Sequence, residues 1–311
     1  MSTHTDVTAT NPAQPPKHFL TVDDLSAAEL QSVLDLAAEY KSAVEHGEPH
    51  GELGDKTLAM LFEKPSTRTR VSFETGMTQL GGHAVFLGPE DTQLDRGEPV
   101  KDTARALSGY VDAIMARVFD HDDLTELAAY AEVPVVNGLT DDAHPCQTLA
   151  DLLTIQELFG DFDDVTAAWV GDGNNVASSF AVGCAMAGID LTVACPEGHG
   201  LDDEVLEAAA EVGTPPTVTT DPEPAVADAD VVYTDVWVSM GEDDDKVDDF
   251  DGFTVSESLL DGTDAKVMHC LPAVRGQEIT DETIESDRSV VWQQAENRMH
   301  AQKALLATLV G

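Results

Sequence analysis

The sequence predicts an α/β protein built as two doubly wound, parallel-sheet lobes, and three observations carry that reading. Short β-rich apolar runs alternate with helical patterns, as strand–helix–strand units require. The alternation is interrupted by the polar stretch Gly160-Asp161-Phe162-Asp163-Asp164 and then starts again. At about 150 residues per domain, the 311 residues make two domains. A hydrophobic content of 42% is enough for two cores and too high for a disordered chain.

The elements follow in order. Residues 1–17 are polar, contain Pro12, Pro15 and Pro16, and are expected to fray. Ser26 and Glu29 then form a capping box. Leu30, Val33, Leu34, Ala37, Tyr40 and Val44 continue at helical spacing, and Gly47 stops the helix. Runs at 57–62, 83–87, 113–118 and 133–137 read as strands, with helices near 67–80, 100–108, 122–131 and 145–159. After the break, strands are expected at 165–170, 190–195, 217–219, 229–234, 266–269 and 289–292, and helices near 176–187 and 202–212. The segment 241–252 holds seven acids and reads as an exposed loop, and a last helix covers 295–310. Parallel sheets of this kind are covered on both faces and bind ligands at the C-terminal ends of their strands.

Composition narrows the function. The chain carries 59 acidic and 16 basic residues, a net charge of −43. That excludes a general nucleic-acid binder, which must meet phosphates with Lys and Arg. The acids are spread along the whole chain instead of forming a tail, so they read as a solvated surface suited to high salt, not as a cation-buffering or acidic interaction protein. At about 1 M salt the screening length is only about 3 Å, which suppresses self-repulsion. With no apolar run near the roughly 18 residues of a membrane span and no signal-peptide pattern, a soluble, cytoplasmic protein is expected. Cys146, Cys184, Cys195 and Cys270 lack CxxC spacing, so free thiols are expected instead of disulfides or a zinc knuckle.

The rare cations point to chemistry. Lys64, Arg68 and Arg70 crowd into seven residues around Pro65-Ser66-Thr67-Arg68-Thr69-Arg70, directly after a strand and at a helix start. Ser66 can cap that helix, whose free N–H groups and dipole favour an anion, and hydroxyls with arginine forks supply the donors a phosphate needs. An ordinary capped helix with surface arginines is the plainer reading, but it fits poorly in a chain so short of cations. No Gly-Lys-Ser/Thr sequence is present, which argues against a P-loop NTPase.

Other motifs also follow strands. In His144-Pro145-Cys146-Gln147 the proline starts a helix, so His144 and Gln147 can share one face. Gly171-Asp172-Gly173-Asn174-Asn175 loosely echoes a dinucleotide fingerprint but has Ala177-Ser178 where the third glycine belongs, so an NAD-dependent dehydrogenase is poorly supported. A tight turn accounts for the glycines and not for the paired asparagines. Asp235 to Gly241 and His269-Cys270-Leu271-Pro272 follow two further strands. Arg298 falls in the first turn of the expected last helix, where a cation opposes the dipole unless it serves an anion or a carbonyl.

As an ordered set, Phe62-Glu63-Lys64-Pro65-Ser66-Thr67-Arg68-Thr69-Arg70, His144-Pro145-Cys146-Gln147, Asp235 with Ser239-Met240-Gly241, His269-Cys270-Leu271-Pro272 and Glu296-Asn297-Arg298 resemble the motifs of the ornithine carbamoyltransferases. The resemblance runs from about residue 18 to the C-terminus, and five motifs in order are far more specific than any one. It implies transfer of a carbamoyl group from carbamoyl phosphate to the δ-amine of L-ornithine. It also implies a carbamoyl phosphate lobe at 18–155, joined by the returning C-terminal helix 295–311, and an ornithine lobe at 156–294. By this similarity Ser66, Thr67, Arg68, Thr69 and Arg117 hold the phosphate, and His144 and Gln147 engage the carbamoyl group. Arg68 and Arg117 stabilise charge on its oxygen. Cys270 and Leu271, through their main-chain carbonyls, and Arg298 fix its amide. Asn175, Asp235, Ser239 and Met240 hold ornithine. Family members assemble as trimers, and Gln93 resembles a residue lent to a neighbouring subunit's phosphate site. No metal or organic cofactor is implied.

Within the family, an aspartate acceptor should need second-lobe cations, and no Lys or Arg occurs from Val118 to Asp245. A putrescine acceptor lacks the α-carboxylate that Asn175 is expected to meet. The Cys270 thiol, with an ordinary pKa of about 8.5, lies between an alkyl amine at about 10.4 and neutrality, so a part in proton handling or amine orientation is expected. The plainer alternative is a small buried residue that offers only its backbone.

Overall fold

The computed structural model describes residues 18–239 and 244–311; the stretch expected to fray, 1–17, lies outside the described residues. Both expected sheets form, and every pairing in them is parallel. Strands β1 (Thr57–Phe62), β2 (His83–Leu87), β3 (Ala113–Arg117) and β4 (Val135–Leu139) make the first, in the order β2-β1-β3-β4. Strands β5 (Thr166–Val170), β6 (Asp190–Ala194), β7 (Thr217–Thr219), β8 (Val231–Thr234) and β9 (Lys266–His269) make the second, in the order β7-β6-β5-β8-β9. Around them lie helices α1 (Ala27–His46), α2 (Thr67–Gln79), α3 (Val100–Ser108), α4 (His121–Tyr130), α5 (Pro145–Phe159), α6 (Asn175–Ala187), α7 (Asp203–Val212), α8 (Pro222–Val226), α9 (Asp281–Ile284) and α10 (Val291–Val310).

Local chemistry sets these boundaries. Ser26 Oγ accepts from the Glu29 N–H at 3.3 Å and the Glu29 carboxylate accepts from the Ser26 N–H at 2.8 Å, closing the capping box of α1. Gly47 ends that helix in the left-handed region, φ +68°. Gly171 turns out of β5 at φ +135°, and a Cβ on Gly173 would stand 2.5 Å from the Gly200 backbone. Only glycine fits that close approach of two loops.

Two expectations fail. The strand at 289–292 is reduced to a single bridge between Ser289 and Val267. The Gln294 N–H turns back to the Val290 carbonyl instead, and α10 begins at Val291, which is buried against the second core. The short β-rich run therefore serves as an apolar helix start. The acidic segment is also no plain loop in its described part. Asp244–Phe250 forms 3₁₀ turns, and Phe250 is fully buried, stacked on Trp237 with ring centroids 5.0 Å apart.

One apolar cluster runs through both lobes, from Phe62 and Phe73 of the first to Trp169, Phe180 and Tyr233 of the second. Helix α5 is its shared spine: every residue from Pro145 to Ile155 is buried, as expected of a helix enclosed on all sides. Helix α10 returns to α1 and α2, where Asn297 accepts from Lys41 at 2.7 Å and Lys303 donates to Gln79 at 2.8 Å. The strand order reverses between β1 and β3 in one sheet and between β5 and β8 in the other. Loops leaving strands on opposite sides of such a point diverge and open a crevice. Here the two crevices meet.

Candidate active site

The crevices join in a cleft of about 1030 Å³, room enough for two small substrates. From the first lobe Ser66, Thr67, Arg68, Thr69, Arg117 and His144 line it, with Arg298 from α10. Ser66 caps α2: its Oγ accepts from the Thr69 N–H at 3.3 Å and donates to Thr69 Oγ1 at 3.0 Å. No acid occupies the first turn of this helix, so its N-terminal field stays available to an anion. Arg117 ends β3 where the register with β4 shifts, an irregularity of the kind that re-aims a side chain.

Arg298 Nη2 donates to Thr69 Oγ1 at 2.8 Å, and Nη1 donates to Gln147 Oε1 and contacts His144 Nε2 at 3.5 Å. Burial, and then the charge of Arg298, push the Arg117 pKa down to about 10. Burial likewise lowers that of Arg298. Both remain cations at neutral pH, crowded with Arg68, and an anion would relieve their repulsion. Burial and the charges of Arg298, Arg117 and Arg68 hold His144 well below the ordinary histidine range, so its ring is neutral. Arginine only donates, so Nε2 is the accepting nitrogen and Nδ1 carries the proton. Among the described residues His144 Nδ1, Arg117 Nε and Arg298 Nε are buried without hydrogen-bond partners.

The second lobe presents a different wall, of Asn174, Asn175, Asp235, Ser239, Cys270 and Leu271. Asn174 caps α6 through Oδ1, which accepts from the Val176 and Ala177 N–H groups, while its Nδ2 donates to Asp235 Oδ2 at 3.0 Å. Asn175 Nδ2 donates to the Thr140 carbonyl, a bond across to the first lobe. Cys270 Sγ donates to Asp235 Oδ1 at 3.0 Å. His269 Nδ1 accepts from the Leu271 N–H at 2.9 Å, which leaves Nε2 to donate to the buried Glu278 at 3.0 Å. Leu271 itself sits at φ +61°, a costly position for a branched residue, and the Leu271–Pro272 bond is cis.

Among the described residues, Asp235, His269 and Cys270 form the one group with metal-ligand spacing. The Cys270 thiol proton goes to Asp235, and both ring nitrogens of His269 are engaged, Nδ1 by the Leu271 N–H and Nε2 by Glu278.

The structure thus gathers Ser66, Thr67, Arg68, Thr69, Arg117, His144, Asn175, Asp235, Ser239, Cys270, Leu271 and Arg298 around one cleft. Gln147 stands behind the lining and holds Arg298. Gln93, expected to serve a neighbouring subunit, lies exposed ahead of the turn Leu94–Arg96. Met240 lies outside the described residues.

Several expectations need correction. Arg70 points away, paired with Glu74 at 2.9 Å and lying over the Phe86 ring, whereas Lys64 does line the cleft, paired with Asp141. Because α10 starts at Val291, Arg298 lies in the helix interior and the dipole argument does not apply to it. Burial and the adjacent Asp235 push the Cys270 thiol well above its ordinary range. It is therefore protonated at neutral pH, a donor to Asp235 and not an acceptor for the amine proton. All four cysteines are free, as expected, and all four are buried. The sequence reading missed Asp172, Lys246 and His199 on the second wall. Lys246 Nζ reaches Asp172 Oδ2 at 3.0 Å, and His199 Nε2 reaches Asp249 at 3.0 Å. The position of Asp172 between two glycines directly after a strand was the available signal.

Fold and site together define a two-lobed α/β protein with an anion pocket on one wall and a carboxylate–amide surface on the other. The chain belongs to the aspartate/ornithine carbamoyltransferase family: residues 17–157 match the family's carbamoyl-P binding domain and residues 163–309 its Asp/Orn binding domain. Ornithine carbamoyltransferase of Haloquadratum walsbyi is 62% identical over 296 residues, covering 94% of this chain and 97% of that one. The anabolic enzyme of Pyrococcus furiosus is 51% identical over 304 residues, 95% of this chain and 96% of the relative. A solved structure of ornithine carbamoyltransferase from Pyrococcus furiosus superposes with a TM-score of 0.92 at 51% identity, covering 95% and 97% of the two chains. That from Thermus thermophilus superposes at 0.87 with 43% identity, covering 95% and 99%. Among the described residues no helix is long and apolar enough to cross a membrane.

Proposed function

We propose that this protein transfers the carbamoyl group of carbamoyl phosphate to the δ-amine of L-ornithine, giving L-citrulline and phosphate. The observation that carries the reading is the facing of the Arg68–Arg117–Arg298 cluster by Asp235 across a single cleft. The N-terminus of α2 with Ser66, Thr67 and Thr69 receives the phosphate, and Arg68 and Arg117 neutralise it. His144 and Arg298 meet the carbamoyl group, with Gln147 supporting them. The main-chain carbonyls of Cys270 and Leu271 take its amide protons. Asp235 and Asn175, with Ser239 and Met240, hold the amino-acid end of ornithine. The amine nitrogen attacks the carbamoyl carbon and the bond from that carbon to the phosphate oxygen breaks. Phosphate leaves with the electron pair, and the amine proton passes to it or to solvent.

The arginines lower the barrier by meeting charge that develops on the carbonyl and leaving oxygens. The amine must be neutral to attack. From a pKa of about 10.4, that costs roughly 4 kcal/mol near neutral pH, which holding the two substrates in contact offsets. The first lobe, 18–155 with the C-terminal helix 295–311, is the carbamoyl phosphate domain, and 156–294 is the ornithine domain. An aspartate acceptor is disfavoured because Lys246, the cation that the second lobe brings to the lining, is paired with Asp172.

The decisive experiment is citrulline formation from carbamoyl phosphate with ornithine, set against aspartate and putrescine as acceptors. Turnover with ornithine at least about a hundredfold above the other two is expected, since a site built for charged groups rejects acceptors that leave them unpaired. Equal turnover with aspartate would overturn the assignment.

We also propose a cytoplasmic homotrimer adapted to high salt. A charge of −43 per chain is tripled in a trimer, and counterions must screen it. Sedimentation should therefore show trimers at about 3 M KCl and dissociation at about 0.05 M, on either side of the range where screening becomes short.

A further inference from the structure

We infer that Asp151 is a positioning residue for carbamoyl transfer: a single buried oxygen of its carboxyl fixes the side-chain amides of Gln147 and Gln294, and through them both Arg298 and the His269–Leu271 strand end. The inference rests on the activity proposed above.

The geometry leaves little choice. Gln147 Nε2 and Gln294 Nε2 both donate to Asp151 Oδ1, each at 2.7 Å. The other end of each amide faces a group that can only donate. Gln147 Oε1 accepts from the Arg298 guanidinium, and Gln294 Oε1 accepts from the His269 main-chain N–H at 2.9 Å. Neither amide can be turned over without setting two donors against each other. Asp151 must therefore present an acceptor to both nitrogens, and Oδ1 does so whether or not the carboxyl is protonated.

Residues four apart share a helix face, so Gln147 and Asp151 on α5 meet Gln294 and Arg298 on α10. Asp151 thereby joins the wall that meets the carbamoyl group to the strand end whose carbonyls meet the carbamoyl amide.

The carboxyl is held at a cost. It is fully buried within helix α5, and burial pushes its pKa up to about 7 against the opposing hydrogen bonds from Gln294 and Gln147. The ionisable groups that act on it or feel it are Arg298 on α10, Tyr233 on β8, Cys184 on α6 and Cys270 after β9. No cation contacts it directly among the described residues. A leucine would fill such a position more cheaply if packing were its only task.

The test is a double-mutant cycle on citrulline formation. The variants are Asp151→Ala, Asp151→Asn and Gln147→Ala, with Gln147→Ala/Asp151→Ala and Gln147→Ala/Asp151→Asn, all beside the wild type. Asp151→Ala should lower kcat/KM for carbamoyl phosphate by about a hundredfold while the ornithine KM moves less than about threefold. Asp151→Asn keeps an acceptor oxygen and should recover at least about tenfold of that loss. In the Gln147→Ala background Asp151→Ala should cost at least about tenfold less than in the wild-type background, and the smaller loss caused by Asp151→Asn should disappear. If Asp151→Ala does not fold, the asparagine variant carries the comparison in both backgrounds. Equal losses in both backgrounds, or a loss that raises both KM values together and tracks a fall in melting temperature, would make Asp151 a packing residue and overturn the inference. A wild-type enzyme that forms no citrulline would overturn the activity and this inference with it. Additive losses in an active enzyme overturn the inference alone.

Discussion

The two walls of the cleft are built alike and are satisfied differently. Each consists of residues leaving parallel strands at a point where strand order reverses. The first-lobe wall is rich in donors that have nothing to donate to: Arg117 Nε, Arg298 Nε and His144 Nδ1 lack partners among the described residues, and burial, followed by neighbouring guanidiniums, lowers the pKa values of Arg117 and Arg298. The second-lobe wall is already knitted together, with Asp235 accepting from both Asn174 and Cys270. The contrast teaches that topology decides where a ligand binds and side-chain bookkeeping decides which ligand. An unsatisfied cationic wall awaits an anion that completes it. A satisfied polar wall is preorganised and gains only the groups a ligand adds.

The largest expected effect comes from removing a cation from the unsatisfied wall. Arg68→Ala should lower citrulline turnover by at least about a hundredfold, since a charge-assisted fork and a donor acting in the transition state are lost together. Its melting temperature should stay close to that of the wild type, because a half-buried member of a repelling cluster stabilises the fold little. A variant with near-normal kcat and carbamoyl phosphate affinity would erase the distinction between the walls.

On the satisfied wall, Asp235→Asn should raise the ornithine KM by about 10- to 100-fold while the carbamoyl phosphate KM moves less than about threefold, the magnitude of a lost charged hydrogen bond. Steady-state kinetics with each substrate varied in turn separates the two. Equal effects on both substrates would mean that the walls do not divide the ligands between them.

Thermal melting with single ligands sharpens the comparison without mutation. Inorganic phosphate at about 100 times its Kd should stabilise the protein by about 2.7 kcal/mol through mass action, because it fills the unsatisfied wall. Ornithine alone, at the same concentration, should shift the melting temperature less. The reverse order would contradict the hydrogen-bond inventory.

The smallest effect is expected at Cys270. With its thiol pKa raised by burial and Asp235, the group stays protonated near neutral pH. Cys270→Ala should raise the ornithine KM only a few-fold, by freeing Asp235 Oδ1, and should leave the pH–rate profile between about pH 6 and 8 unchanged. The sign follows from linkage. The folded thiol keeps its proton where an unfolded one, with a pKa of about 8.5, releases it, so its contribution to stability is lost only as the pH rises above that value. A profile displaced by a full pH unit would restore the thiol to proton handling.

Much of this was legible in the residues. Capping residues are read locally, so Ser26, Gly47 and Ser66 marked helix ends where they occur. Period-2 and continuous apolar runs located the nine strands of the described residues to within about two residues, along with a tenth at 289–292 that does not form. The motifs that follow strands named nearly every residue of the cleft lining that the proposed chemistry uses. What failed was whatever depends on a distant partner. Val290 to Trp292 carry strand propensity, yet their surroundings make them a helix start. Arg70 stood in the same cation cluster as Arg68, yet it lies over Phe86 of β2, a partner the local pattern does not show, while its i,i+4 pairing with Glu74 was open to a local reading.

Taken alone, the sequence determined the fold class and named most of the polar residues that the structure gathers around one cleft. Helical period, strand period, capping and charge are properties of neighbours along the chain. Tertiary structure decided which groups are satisfied. It alone brought Arg298 to Thr69 and Gln147, raised the Cys270 thiol out of reach of neutral pH, and put Asp151 between two amides from helices more than a hundred residues apart in sequence. Hydrogen bonding, burial and the field of nearby charges depend on distance in space, and a linear pattern carries no record of it.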